Sequence, residues 1–176
     1  MTPSVIAYTG AHDTGKADAA LRAAADLKRA GAGNTIYALC EIEGACPYFI
    51  RRATTPRAQM WLFCQRIRLE LESLARFDVV VTDRTVVDVA AYTYAAGFED
   101  LATDMLTMAG NHLGVYREIR FKSILANNFW SGGSGGGDGV RNAKDTAFRE
   151  RVEKVLVDMY AELRSGGHMP GDFIHD

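Results

Sequence analysis

Residues Gly10-Ala11-His12-Asp13-Thr14-Gly15-Lys16-Ala17 constrain this chain more than any other stretch. They follow an apolar run, Val5-Ile6-Ala7-Tyr8, and precede an alanine-rich amphipathic segment from Asp18 to Arg29. A loop of the form G-x-x-x-x-G-K-[ST] between a strand and a helix is a phosphate cradle. The two glycines let the backbone curl until successive N–H groups converge on one anion. The following helix adds its free N–H groups and the positive end of its dipole. Lys16 brings a mobile charge for the terminal phosphates. All eight positions, 10 to 17, are therefore expected to bind the phosphates. The last one departs from the pattern: Ala17 stands where a Ser or Thr hydroxyl would help to hold Mg²⁺. Which group carries the metal becomes a question, with Asp83, alone or with Asp13 or Asp18, as the candidate.

Hydrophobic periodicity predicts the remaining elements. Strands are expected over residues 4–9, 35–40, 78–82 and 116–124. The first is apolar on both faces, as a buried parallel strand is. Helices are expected over 15–30, from Pro56 to near Arg76, over 86–96 and 101–113, and over 145–164. Thr55 reads as an N-cap and Pro56 as a first helical residue. The order β-α-β-α-β-α-α-β-α predicts an α/β fold: three layers, with a mainly parallel sheet flanked by helices. The chain reads as one domain over 1–176, with an irregular lid region at about 126–142 and a partly disordered surface tail at about 165–176.

Within the lid, Ser131-Gly132-Gly133-Ser134-Gly135-Gly136-Gly137 contains only Gly and Ser. Such a tract is a flexible coil. It reads either as a natural glycine-rich lid or as an engineered linker in place of one, and its purity favours the second.

Composition narrows the function classes. The 20 basic and 22 acidic side chains give a net charge of −2, so the chain as a whole is not a basic nucleic-acid coat, although a local basic patch is compatible with it. No apolar run approaches the ~20 residues of a membrane span, and Met1-Thr2-Pro3-Ser4 lacks the regions of a signal peptide. Cys40, Cys46 and Cys64 are an odd set without zinc-type spacing. They suit a reducing cytosol, and a cytoplasmic protein is expected.

Three further features suit phosphoryl transfer, which needs charge neutralisation and in-line positioning more than covalent chemistry. Asp83-Arg84 follows the third strand. Its carboxylate suits Mg²⁺ or a hydroxyl proton, and its guanidinium suits a phosphate. Glu41 and Glu43 follow the second strand, where either is a candidate base toward an acceptor hydroxyl, Glu41 the stronger. In open α/β sheets ligands bind beyond such carboxyl ends. Arg141, beside the lid, is positioned to close on the transferring phosphate, with Arg149 and Arg151 as weaker candidates. Arg51, Arg52, Arg57, Arg66 and Arg68 crowd one stretch interleaved with Tyr48, Phe49 and Trp61. They read as phosphate contacts with stacking aromatics or as the solvated face of a helix, the latter favoured for Arg66 and Arg68. Gln59 and Gln65 are weak candidates for a base edge, and His12 reads as a spacer in its loop.

Taken in order, Gly10-x-x-x-x-Gly15-Lys16, Glu41, Cys46-Pro47-Tyr48, Thr55-Pro56-Arg57-Ala58-Gln59-Met60-Trp61, Asp83-Arg84-Thr85 and Asp138-Gly139-Val140-Arg141 resemble the P-loop kinases related to thymidylate kinase and the deoxynucleoside kinases, together with small AAA-type ATP-binding proteins. The resemblance spans roughly residues 4–163. It implies a P-loop kinase fold, ATP as donor with Mg²⁺, and an acceptor held between the second-strand loop, the next helix and the lid. It implies catalytic roles for Lys16, Glu41, Asp83, Arg84 and Arg141, acceptor contacts from Glu41, Arg57, Gln59 and Arg84, and Asp83 on the metal. It also implies a homodimer, which such kinases often form. One phage subgroup phosphorylates 5-hydroxymethyluracil in DNA, and the sequence is similar to it as well. Three readings result: a kinase for a nucleoside or nucleoside monophosphate, a kinase acting on a hydroxymethylated base in phage DNA, and a non-catalytic nucleotide-binding protein, to which Ala17 points.

Overall fold

The computed structural model describes residues 2–31, 34–50, 54–124, 139–169 and 171–175, with backbone alone over 139–145. Strand β1, Ser4–Thr9, is buried along nearly its whole length. It sits at the centre of a five-stranded sheet in the order β2-β3-β1-β4-β5. Here β2 is Ile36–Leu39, β3 Val79–Thr82, β4 Tyr116–Phe121 and β5 Asp172–His175. Every pairing is parallel, with Ala7 opposite Thr82 on one side and Ile119 on the other.

The pleat divides β1 between two cores. Ile6 and Tyr8 join Val79 and Val81 against Ala20 and Ala24 of helix α1, Lys16–Arg29. Val5 and Ala7 face the other way, onto the larger cluster. That cluster is built with helices α2, Pro56–Leu74, α3, Val86–Ala95, α4, Glu99–His112, and α5, Gly139–Ser165. This gives the expected three layers, with one helix on one face and four on the other.

Local chemistry sets the helix starts. The Thr55 side chain accepts from the Ala58 N–H, and Pro56 opens α2 with a ring whose missing N–H costs nothing there. Thr85 and Asp88 form a reciprocal capping box at the start of α3. A short 3-10 turn, Ile42–Ala45, follows β2.

Two expectations are corrected. The segment after Ser165 is not a surface extension: Asp172–His175 adds β5 beside β4, with Phe173 packed against Tyr160 at 5.0 Å between ring centroids. The last helix begins at Gly139 rather than 145. The Gly/Ser tract 131–137 lies outside the described residues.

Candidate active site

The carboxyl ends of β1, β2 and β3 open onto one cleft of about 760 Å³, within the size range of small-ligand sites. Its walls are residues 12–18, from the loop after β1 into the first turn of α1, with Glu41, Glu43, Gly44, Asp83 and Arg84. The loop, the β2 end and the β3 end, roughly 25 and then 40 residues apart in sequence, therefore share one space.

The loop begins at a glycine for a steric reason. Gly10 has φ +139°, and a Cβ there would collide with the carbonyl of Lys122 on the neighbouring strand's end. Its N–H donates to Asp88 Oδ1 at 3.2 Å. The other oxygen of Asp88 accepts from Thr9 Oγ1 at 2.8 Å and from the N–H and hydroxyl of Thr85, both at 2.8 Å. The Tyr160 hydroxyl of α5 lies 2.8 Å from Thr85 Oγ1 and 3.1 Å from Thr9 Oγ1. A fully buried carboxylate thus ties the entry of the loop to α3 and α5. Sequence reading passed over Asp88. The T-x-x-D capping signature was its one legible signal.

Further along, Asp13 and Gly15 adopt positive φ, 58° and 74°. His12 Nδ1 sits 3.1 Å from the Tyr92 hydroxyl, and its ring lies 6.3 Å from Phe148. The residue read as a spacer therefore docks the loop against α3 and α5. Burial lowers its pKa, and Arg149, Arg84 and Lys16 add to that against the opposing charge of Asp13. Lys16 is folded inward, with Nζ donating to the Ala11 carbonyl. Burial, then the charge of Arg84, pulls its ammonium down to about 7, against the opposing pull of Asp88, Asp83 and Glu43.

On the opposite wall, Arg84 Nε donates to Glu43 Oε1 at 2.9 Å, and its guanidinium stacks 4.9 Å above the Tyr92 ring. Burial raises the Glu43 carboxyl, but Arg84 and then Arg66 outweigh it and hold the group below its usual range. Burial works against the Arg84 cation as well, yet Tyr92, Glu43 and Asp88 hold it firmly charged. Glu41 stands in left-handed backbone, φ 58°, and its N–H donates to Asp83 Oδ2 at 3.1 Å. Its side chain is exposed to the cleft.

Arg66 fits neither sequence reading. Its guanidinium is 1 % exposed and lies behind β3 rather than on a solvated face or at a ligand surface. Nη1 donates to Thr82 Oγ1 and to the Arg84 carbonyl, both at 2.8 Å. Nη2 lies 3.6 Å from Glu43 and 3.7 Å from Asp83. Glu70 is 3.7 Å from Nη1 and accepts from Tyr116 Oη at 2.8 Å, with His112 Nε2 at 2.8 Å. Arg68, two residues on, points outward and pairs with Glu72 at 2.9 Å. The basic stretch therefore does not form one strip.

Other expected residues are scattered. Arg57 is exposed on the first turn of α2, outside the cleft walls. Gln59 is buried, its amide donating to Thr54 at 2.8 Å and accepting from Thr93 at 3.2 Å. Tyr48 and Phe49 are exposed, and Trp61 packs against the core. Arg149 Nη2 reaches the Asp13 carbonyl at 3.3 Å. Arg141 lies in the first turns of α5, and its side chain, like Arg51 and Arg52, falls outside what is described.

The residues present fit a Mg²⁺ ion that arrives with a nucleotide. Such ions take one or two carboxylates and complete their shell with phosphates and water. Asp83 lines the cleft and is 5 % exposed, and its buried Oδ1 accepts no hydrogen bond, with Arg66 Nη2 3.7 Å away. Asp18 is engaged with Arg22 at 2.7 Å. No cluster of three or more His, Cys, Asp or Glu ligands occurs among the described residues, so a resident metal held by protein alone has no support there.

Solved structures match this arrangement over its whole length. A thymidylate kinase from Ehrlichia chaffeensis superposes with a TM-score of 0.65 at 16% identity, over 100% of this chain and 88% of that one. A thymidylate kinase from Candida albicans gives 0.63 at 13% identity, over 99% and 84%. A deoxyadenosine kinase from M. mycoides, solved with dCMP and dCDP bound, gives 0.59 at 14% identity, over 98% and 88%. This chain has the fold of those nucleotide and nucleoside kinases. No protein-family model matches the sequence, and no curated protein matches it. No helix among the described residues is long and apolar enough to cross a membrane.

Proposed function

We propose that this chain is an ATP-dependent phosphotransferase acting on a nucleotide-type acceptor, a nucleoside or a nucleoside monophosphate. The observation that carries this reading is the convergence of the Gly10–Ala17 loop, Asp83-Arg84 and Glu41 on one cleft at the carboxyl edge of the sheet. The kinase fold supports it.

In this reading the loop N–H groups and Lys16 hold the polyphosphate of ATP, with Ala17 contributing only its backbone. Asp83 Oδ1 is the protein ligand toward Mg²⁺, which when bound neutralises phosphate charge. Arg84 offsets charge on the transferring group, and Arg141 approaches from the lid side. Glu41 receives the acceptor's proton, because its carboxylate reaches the cleft and forms no ion pair among the described residues. Glu43 does not suit that role: two guanidinium groups hold its carboxylate ionised and occupied. The alanine at position 17 does not by itself favour a non-catalytic protein, since Asp83 lines the same cleft and its Oδ1 accepts no hydrogen bond, with Arg66 Nη2 at 3.7 Å as its ion-pair neighbour.

The test is transfer from γ-labelled ATP to a panel of nucleosides and nucleoside monophosphates, beside Lys16→Ala. Transfer that falls by more than a hundredfold in the variant supports the reading. Bound ATP without transfer to any acceptor contradicts it.

A further inference from the structure

One side chain of the phosphate loop keeps a ring nitrogen unbonded at the cleft. Resting on the phosphotransferase reading, we infer that His12 donates a hydrogen bond from Nε2 to the terminal phosphate of ATP, as a neutral imidazole whose tautomer is set by Tyr92.

The tautomer follows from hydrogen-bond economy at the Tyr92 hydroxyl. That oxygen lies 3.1 Å from His12 Nδ1. It also accepts from the Arg84 guanidinium, which lies over the same ring and has only donors to offer. The phenolic proton therefore needs an acceptor of its own, and among the described residues that acceptor is Nδ1. With Nδ1 accepting, a neutral ring carries its proton on Nε2. A charged ring would bring a second proton to Nδ1 and strand the phenolic one. The surroundings oppose that charge as well: the ring is half-buried, and Arg149, Arg84 and Lys16 stand near it, with Asp13 as the opposing charge.

Nε2 is where that proton meets a ligand. The atom makes no hydrogen bond among the described residues, yet it is not sealed from solvent, and the ring lines the cleft together with Thr14, Lys16 and Arg84. The ring is also held in place, 6.1 Å from Tyr92 and 6.3 Å from Phe148 between centroids. Tyr92 thus orients two donors at one cleft, the His12 ring through its hydroxyl and the Arg84 guanidinium over its face at 4.9 Å. In-line transfer carries the terminal phosphoryl from the loop toward the wall that holds Arg84, so it is the group that both donors meet. An ionised phosphate oxygen only accepts hydrogen bonds. A preorganised N–H without charge of its own stabilises it and adds nothing to the repulsion among Lys16, Arg84 and Arg149. ADP lacks that phosphate and leaves Nε2 to water.

The experiment starts on the wild-type protein with Mg²⁺ and either ADP or a non-hydrolysable ATP analogue. Long-range proton–nitrogen NMR of the histidine rings is expected to show His12 protonated at Nε2 and bare at Nδ1, with an Nε2–H signal that moves on adding the analogue and not on adding ADP. Calorimetry on variants measures the contact. His12→Phe, which keeps a packed ring, is expected to lower the preference for the analogue over ADP about tenfold, as loss of one hydrogen bond to a charged group does. His12→Gln, with a neutral N–H near the place of Nε2, is expected to keep most of that preference. Tyr92→Phe leaves Arg84 its ring and releases Nδ1, so the imidazole proton should divide between the two nitrogens. Protonation at Nδ1 in the wild-type protein, or equal losses for the analogue and ADP in His12→Phe, overturns this inference and leaves the kinase reading standing. A wild-type protein that shows the contact but transfers phosphate to no acceptor overturns the kinase reading and leaves His12 as a contact of a nucleotide-binding loop.

Discussion

Arg84 Nε and Glu43 Oε1, 2.9 Å apart on one wall of the cleft, bind the β3 end to the turn after β2. The guanidinium lies over Tyr92, and in the proposed reading the pair takes up a charge that would otherwise meet phosphate. Glu43→Gln is expected to tighten ATP binding by about 1 kcal/mol, a factor of about five, with the gain shrinking as salt rises. Titration calorimetry at two ionic strengths measures it. Unchanged or weaker binding at low salt counts against an Arg84 directed at phosphate.

Lys16 gives a pH signature. Its pKa of about 7 in the free protein leaves it about nine-tenths neutral at pH 8, and polyphosphate in the loop favours the charged form. ATP binding at pH 8 should take up close to one proton, read from calorimetry in buffers of different ionisation enthalpy, and Lys16→Met should abolish that uptake. The sign for stability follows from the same shift. Between about 7 and the ordinary value of 10.5, the unfolded chain holds a proton that the folded protein has released, so the stability of the free protein rises with pH across that window.

Arg66 is expected to matter through charge burial. Removing a buried partner leaves Glu70 and Asp83 uncompensated, and Arg66→Met should cost about 3–5 kcal/mol in urea unfolding. Arg66→Lys keeps the charge but loses the fork to Thr82 and the Arg84 carbonyl, so its loss should be smaller. Equal stability of the methionine variant and the wild type would mean that the cluster is not held together by this cation.

Asp88 accepts four hydrogen bonds from Gly10, Thr9 and Thr85. Asp88→Ala should lower stability by more than about 3 kcal/mol, because it strands buried donors, and should weaken ATP binding as the loop entry loosens. Chemical denaturation and nucleotide titration on the same sample check both effects.

Much of this was legible in the chain, for identifiable reasons. The Gly10–Lys16 spacing, the Val79–Val81 run and the Thr55-Pro56 cap each encode a local geometry, and the structure shows the strand–loop–helix order, the strand and the cap where they were expected. Strand β5 was not legible, because Asp172-Phe173-Ile174-His175 is short, half polar and held mainly by the edge of β4. Arg66 and Arg68 looked alike in sequence. Two residues on a helix turn about 200°, so one entered the core and the other met Glu72. Glu41 ranked above Glu43 on its position at the strand end. That the Glu43 carboxylate is held by two arginines depends on contacts 23 and 41 residues away in sequence, which no local pattern reports.

The most direct measurement of the central claim is transfer of label from γ-labelled ATP to nucleosides and nucleoside monophosphates in the presence of the wild-type protein and of Lys16→Ala. The account expects labelled product from the wild type and a loss of more than a hundredfold in the variant. Label that remains on ATP with every acceptor, or transfer that survives Lys16→Ala within about tenfold, would contradict it.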